Sequence, residues 1–389
     1  MRTRTKILFA LFIVTIMVTI YWPTFLWATA GHSFEFEVFH CATKIAMAHG
    51  DPWSLETIQK VCPKQDGPYI YPAPFFLVTF ALAIFDQKTA ATIWFFVCIS
   101  ACLFAMRTLK RWSGISLPLM VLLLASSSPI VHDLKLGNVN LVVLMLISLA
   151  LVYNSGSIMA MAVVIKMSPA ILVIPAIMEK RFRWLVTWFV TIIILFSISL
   201  FLVSPSIQAR FLTEILPSFG SRFSNLELPL YKMSHHSISR LVIEVWPSEI
   251  VGQLSQKAKM AHQTIILLLL IGLIRNTKYK AWNKYSFGAW LVLMTIAPIF
   301  TWEAHLVYLF PPMFIVCTAI EKNRMSKPWT IASTFSIVVI GLPFEWIRWP
   351  AIYFPEIDWF CRDIKLFASL VIGAACLELL RSENNSSMR

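Results

Sequence analysis

Ile7–Trp27 reads ILFALFIVTIMVTIYWPTFLW, and Ser33–Trp53, just beyond it, reads SFEFEVFHCATKIAMAHGDPW. The first stretch is apolar over roughly 20 residues, the length an α-helix needs to cross a bilayer. Arg2, Arg4 and Lys6 precede it, which places the N-terminus in the cytoplasm. The second stretch carries Glu35, Glu37, His40, His49 and Asp51 where that span would exit. Ala28-Thr29-Ala30 resembles a signal-peptidase site, so cleavage is the competing reading. The length of the run, with Tyr21, Trp22 and Pro23 near its end, favours an uncleaved first span.

The rest of the chain repeats the first stretch more than the second. The 389 residues are 58% hydrophobic and 14% charged, with a mean hydropathy of +0.72. A soluble domain carries about a quarter charged residues. A deficit spread over the whole length predicts an all-α polytopic membrane protein. Further apolar runs lie at about 73–86, 89–106, 115–132, 139–154, 158–178, 184–204, 263–275, 286–300, 304–320, 328–345 and 364–381, which makes about 12 spans. They read as one integral membrane domain over 1–389: seven spans within 7–204, a long outer loop at 205–262, and C-terminal spans within 263–381. The first outer loop, 28–70, carries Val38, Cys41, Ala42, Ile45 and Ala46 at helical spacing, which predicts an interfacial helix around Val38–Ala48. The count places Glu179–Arg183, Arg275–Lys284, Glu321–Lys327, Arg381 and both termini on the cytoplasmic side. It leaves one exception, Arg107–Arg111, on the outer side.

The net charge of +13 sits in short clusters between apolar runs, with no basic stripe on a soluble face, so nucleic acid is not an expected partner. Only 12 glycines are present and no Gly-rich phosphate loop is visible. The seven cysteines form no CxxC or Cys/His metal spacing, and neither a metal nor a cofactor is expected. Cys41 and Cys62 share the first outer loop and could pair in an oxidising compartment, but connectivity is not readable from sequence.

Three polar groups then fall on the outer side. The first loop offers Glu35, Glu37, His40, His49 and Asp51; the long loop offers Lys232, His235, His236 and Arg240; a turn between apolar runs offers Trp302, Glu303 and His305. Ionisable groups at a membrane boundary are functional candidates by default. A carboxylate can take the proton of an acceptor hydroxyl, and Arg or Lys can hold a phosphate leaving group. Asn138, Asn140 and Lys166 lie within or between apolar runs, and a lysine there needs a polar cavity, a partner or an interface to reach.

In order along the chain, FEFEVFHCA, HGDPW, YIYPAPF, LGNVN, VIKMSPAIL, SHHSISR and TWEAHLVYLFPPM resemble glycosyltransferase family 87 from about residue 7 to residue 320. The resemblance implies a polytopic fold of the GT-C superfamily, acting on polyprenyl-phosphate sugars. It places the family's first-loop Asp on Glu35, with Glu37 as the fallback. The Tyr-Pro-Pro motif falls on Tyr71, Pro72 and Pro74, and Gly-Gln-x-Asn on Gly137, Asn138 and Asn140. Lys-x-x-Pro falls on Lys166 and Pro169, Asn-x-Ser with a following Arg on His235, His236, Ser237 and Arg240, and Trp with His on Trp302 and His305. Glu for Asp, Asn138 for Gln and His for Asn are departures.

The expected activity is transfer of mannose or a similar sugar from a polyprenyl-phosphate donor to a glycan or glycolipid acceptor on the outer face of the cytoplasmic membrane. Glu35 is the expected base. Lys232, His235, His236 and Arg240 are expected at the donor phosphate, with Trp302, His305, Tyr71, Asn138, Asn140 and Lys166 lining the substrate. The alternatives are a flippase or transporter, or a ligase, for a lipid-linked glycan.

Overall fold

The structure is a computed structural model and describes residue 11 and residues 14–63, 69–218, 235–247 and 254–387. Among these the chain is helical throughout, and the one β-type pairing is an isolated antiparallel bridge between His235 and Trp302. Five helical stretches are long and apolar enough to cross a membrane: Val14–Met47, Gln87–Ser113, Phe182–Ser199, Gln256–Thr277 and Glu303–Glu321. Counting each of two bent helix pairs as one span gives up to seven. Much of the outer surface is apolar: Phe182, Val186, Phe189, Leu268 and Phe335 are all exposed. Patches of that extent need lipid rather than water as their neighbour.

Several apolar runs do not form single helices, the 73–86 and 158–178 runs among them, and the described helices do not bear out the count of about 12 spans. The 73–86 run breaks into the short pieces Ala73–Phe75, Phe76–Thr79 and Phe80–Leu82. These pack on the Phe34–Met47 helix: Phe75 meets Phe39 edge-on at 5.0 Å, and Thr79 Oγ1 lies 2.7 Å from Thr43 Oγ1. The 158–178 run is a helical hairpin. Its first arm, Gly156–Ile165, starts against the backbone of Trp184, where a Cβ on Gly156 would come within 2.1 Å of the Trp184 carbonyl oxygen. Its second arm returns to Glu179, and Arg181 Nη1 donates to Asn154 Oδ1 at 2.5 Å. Both ends of the hairpin are therefore at one end of the bundle, with Lys166 at its turn. Lys166 is extended, which ends the helix at Ile165, and Pro169, which lacks the N–H needed to continue it, sits at the start of the next helical piece, Ser168–Leu172.

The hairpin and the broken 73–86 segment also account for Arg107–Arg111. The Gln87–Ser113 helix ends beside the Phe310–Glu321 helix, where Ser116 donates from Oγ to Glu321 Oε1 at 2.5 Å. Arg107–Arg111 thus shares an end of the bundle with Glu321–Lys327 rather than lying opposite it. Trp282 N–H donates to Glu179 Oε1 at 2.6 Å, and Arg381 Nη2 to Asn276 Oδ1 at 2.9 Å, so the remaining basic clusters gather there too.

The opposite end is built from the polar loops. The first-loop helix runs Phe34–Met47, starting four residues before the expected Val38, with Glu35 and Glu37 in its first turn. Carboxylates suit that place because the helix dipole is positive there. Cys41 and Cys62 form a disulfide that ties this helix to the end of the short Leu55–Val61 helix. His40 is not free for chemistry: its Nε2 lies 3.2 Å from the Phe85 carbonyl oxygen. Asp51 accepts from the Trp53 N–H at 3.0 Å and forms an ion pair with Arg210. The Trp53 ring also packs at a tilt against Phe211, centroids 4.9 Å apart, so the 28–70 and 205–262 loops meet at this end.

This arrangement predicts the outcome of cysteine labelling. In the full chain with its free cysteines replaced, Lys110→Cys and Lys322→Cys will react with a membrane-impermeant thiol reagent from the same side. Labelling from opposite sides would restore the 12-span count.

Candidate active site

A cavity of about 240 Å³ lies at the polar-loop end, bounded by five separate segments. It is slightly below the usual range for small-ligand sites, roughly 300–1,000 Å³. Glu35 borders it from the first-loop helix, Tyr71 and Pro72 from the stretch after that loop, Asn138 from the LGNVN turn, and Lys166 from the hairpin turn. Trp302 and His305 close the far side, and Met167, Pro298, Ile299 and Phe300 supply apolar walls. Two other cavities, of about 210 and 400 Å³, have no ionisable side chain in their lining.

The close approach of its walls depends on Gly137. This residue ends the Ser128–Leu136 helix with φ +67°, and a Cβ there would lie 2.7 Å from the Phe36 Cβ. Its carbonyl accepts from Trp94 Nε1 at 2.8 Å. A larger residue would push the LGNVN turn off the helix that carries Glu35. Tyr71 is held from behind, since Trp53 Nε1 donates to its carbonyl at 3.0 Å. The HGDPW stretch is thus a brace for the cavity wall, and His49 and Asp51 do not border the cavity.

Lys166 is the centre of the polar wall. Its Nζ donates to Asn140 Oδ1 at 2.5 Å and lies 2.6 Å from His305 Nε2. His305 is oriented by its other nitrogen, since Nδ1 accepts from the Trp302 N–H at 2.9 Å. Asn140 also accepts from the Tyr308 hydroxyl at 2.8 Å and donates from Nδ2 to Asp133 Oδ1 at 2.8 Å. Asn140 itself is fully buried and stands one layer behind the cavity. Glu35 faces the same cavity from the first-loop helix and is half-buried. Glu37, two residues on, points to a different side of that helix and does not border the cavity.

The SHHSISR stretch lies against the other side of the Pro298–His305 turn. The His236 N–H donates to the Thr301 carbonyl at 2.7 Å, and Ser237 and Ser239 donate from Oγ to the Ile299 carbonyl at 3.0 and 2.5 Å. The His235 ring packs 5.7 Å from Trp302. His236 Nε2 lies 2.9 Å from Glu303 Oε2, and Glu303 in turn pairs with the buried Lys365. Lys365 also donates to the Leu342 carbonyl at 2.6 Å, one of the acceptors left open where the Lys327–Gly341 helix breaks. Arg240 is buried, gives its Nη2 to Glu244 Oε1 at 2.5 Å, and does not border the cavity. Lys232 lies outside the described residues.

Asp133, Tyr308 and Lys365 complete this arrangement and are absent from the sequence expectations. An acid or a lysine within an apolar run is a signal in itself. Asp133 carried that signal just past the end of the 115–132 run, and Lys365 at the start of the 364–381 run.

Burial sets the charge state of the histidine pair. Removal from water, followed by the nearness of His236 and Arg240, pushes His235 down to about 3. An unfolded histidine takes its proton near 6.5. Between these values the unfolded chain binds a proton that the folded chain refuses, so the stability from burying neutral His235 is complete above pH 6.5 and declines as pH falls toward 3. The slope amounts to about 1.4 kcal/mol per pH unit. His235→Phe will therefore show a shallower loss of thermal stability than wild type between pH 6.5 and pH 4.5. Parallel curves would mean that His235 does not contribute to the pH dependence.

No curated protein matches the chain. The model of glycosyltransferase family 87 matches residues 69–301, more than half of the chain. The matched stretch holds Tyr71, Asn138, Asn140, Lys166 and Arg240, and it stops just before Trp302 and His305. A family match of this extent, on an all-helical fold with several membrane-length apolar helices, makes the chain a membrane glycosyltransferase belonging to glycosyltransferase family 87.

Proposed function

We propose that the protein moves a sugar, mannose or one like it, from a polyprenyl-phosphate donor to a glycan or glycolipid acceptor on the outer face of the cytoplasmic membrane. The observation that carries this is one cavity with a carboxylate on one wall and a lysine–imidazole pair on another. Glu35 takes the proton from the acceptor hydroxyl as its oxygen attacks the anomeric carbon. The bond between that carbon and the phosphate oxygen breaks, and polyprenyl phosphate leaves with the electron pair. Attack opposite the leaving group inverts the anomeric centre. Lys166 meets the developing phosphate charge, where a fixed cation in a water-poor site is most effective. Among the described residues Lys166 is the one cation bordering the cavity, which favours it over Arg240 as the phosphate partner.

The outer orientation has two supports. The Cys41–Cys62 disulfide lies on the helix that carries Glu35, and disulfides persist in oxidising compartments. The basic clusters gather at the opposite end of the bundle, as a cytoplasmic face requires.

The test is Glu35→Gln in purified full-length protein supplied with polyprenyl-phosphate mannose and a set of acceptors. Turnover is expected to fall by about 100- to 10,000-fold, the usual contribution of a general base, with donor binding little changed. Turnover within threefold of wild type removes Glu35 as the base. Release of product from a pyrophosphate-linked donor but not from the monophosphate would favour a ligase. Lipid-linked glycan crossing a vesicle bilayer without sugar transfer would favour a flippase.

A further inference from the structure

A buried carboxylate that this reaction does not use stands directly behind the cavity. Asp133, near the end of the Ser128–Leu136 helix, is wholly buried and does not border the cavity. Its Oδ1 accepts from Asn140 Nδ2 at 2.8 Å, and its Oδ2 accepts from the Leu141 N–H at 3.4 Å. An amide side chain has an acceptor on one arm and donors on the other. Fixing Nδ2 on a carboxylate therefore fixes which arm points forward. In Asn140 the oxygen points forward, and it receives both the Tyr308 hydroxyl and Lys166 Nζ. The flipped amide would set an NH2 against the lysine, donor against donor. An alanine or leucine in place of Asp133 would leave that choice open.

We propose that Asp133 is a positioning residue: through the Asn140 amide it aims the Lys166 amine into the cavity, toward the phosphate of the donor. The inference rests on the polyprenyl-phosphate reading above. A simpler role is available, because the Leu141 N–H belongs to the open first turn of the Asn140–Tyr153 helix and a carboxylate there is a cap. A cap stabilises the helix whatever residue occupies position 166. A positioning residue acts only while the lysine is present.

The experiment is a double-mutant cycle read by the affinity of purified full-length protein for polyprenyl phosphate. Asp133→Asn keeps the shape but leaves one acceptor arm for two donors, the Asn140 Nδ2 and the Leu141 N–H, so it no longer fixes which arm of Asn140 points forward. It is expected to weaken binding roughly tenfold, the lower size of effect for partners one layer behind a ligand-binding group. Lys166→Ala will weaken it at least as much. The double variant will match Lys166→Ala within about twofold, since coupled residues are not additive. Tyr308→Phe, which removes one donor from the Asn140 oxygen and leaves every charge in place, repeats the cycle should Asp133→Asn fail to fold. Its severalfold loss must also vanish in the Lys166→Ala background.

Multiplying effects in the double variants, or unchanged affinity in Asp133→Asn, would overturn the positioning role and leave the donor reading standing. Wild-type protein with no affinity for polyprenyl phosphate would overturn both.

Discussion

A lysine at the turn of an apolar helical hairpin has to find its partners within the protein, because hydrocarbon offers none. Lys166 finds an acceptor on one other segment, Asn140 at the start of the helix following the LGNVN turn, and packs against the His305 ring on another, beyond the Pro298–Thr301 turn. Each partner is itself held, Asn140 by Asp133 and Tyr308, and His305 by the Trp302 N–H. The requirement to satisfy one amine thus joins three parts of the chain that are far apart in sequence. The cavity is the space left on the open side of that junction, and Glu35 closes it.

A second layer keeps the junction in register. The Pro298–Thr301 turn has its carbonyls occupied by Ser237, Ser239 and His236. Glu303, next to Trp302, is held between His236 and Lys365. Breaking one partner of a buried ion pair leaves an uncompensated charge and costs about 3–5 kcal/mol. The SHHSISR stretch and the last long helix therefore act on the cavity through the turn they support. On the other side, Gly137 lets the LGNVN turn touch the Glu35 helix, and the Cys41–Cys62 disulfide ties that helix to the rest of its loop.

Much of this was legible because polar residues are scarce in the chain. Glu35, Tyr71, Asn138, Lys166, Trp302 and His305 stand out against apolar surroundings, and the structure brings all six to one cavity. His235, His236 and Arg240 stand out equally, and the structure sets them behind the turn, because scarcity marks a buried brace as strongly as it marks a site. The topology was harder to read. A run such as 158–178 is long enough to span, and nothing in its composition says that Asn154 meets Arg181. Charge did carry a trace of the fold: Arg107–Arg111 was the single cluster on the wrong side of a 12-span count, and the hairpin together with the broken 73–86 segment removes the conflict. Tyr308 and Lys365 went unread because each contributes through a partner distant in sequence, and Asp133 because it acts from behind the cavity through the nearby Asn140.

The central claim is that donor phosphate and catalytic base share the cavity around Lys166 and Glu35. A structure of the full-length protein in lipid nanodiscs with polyprenyl phosphate bound tests it directly. The account predicts a phosphate oxygen within about 3 Å of Lys166 Nζ, the distance of a charge-assisted hydrogen bond, with Glu35 across the same cavity. A phosphate seated on Arg240, away from the cavity, or at the basic end of the bundle would contradict it.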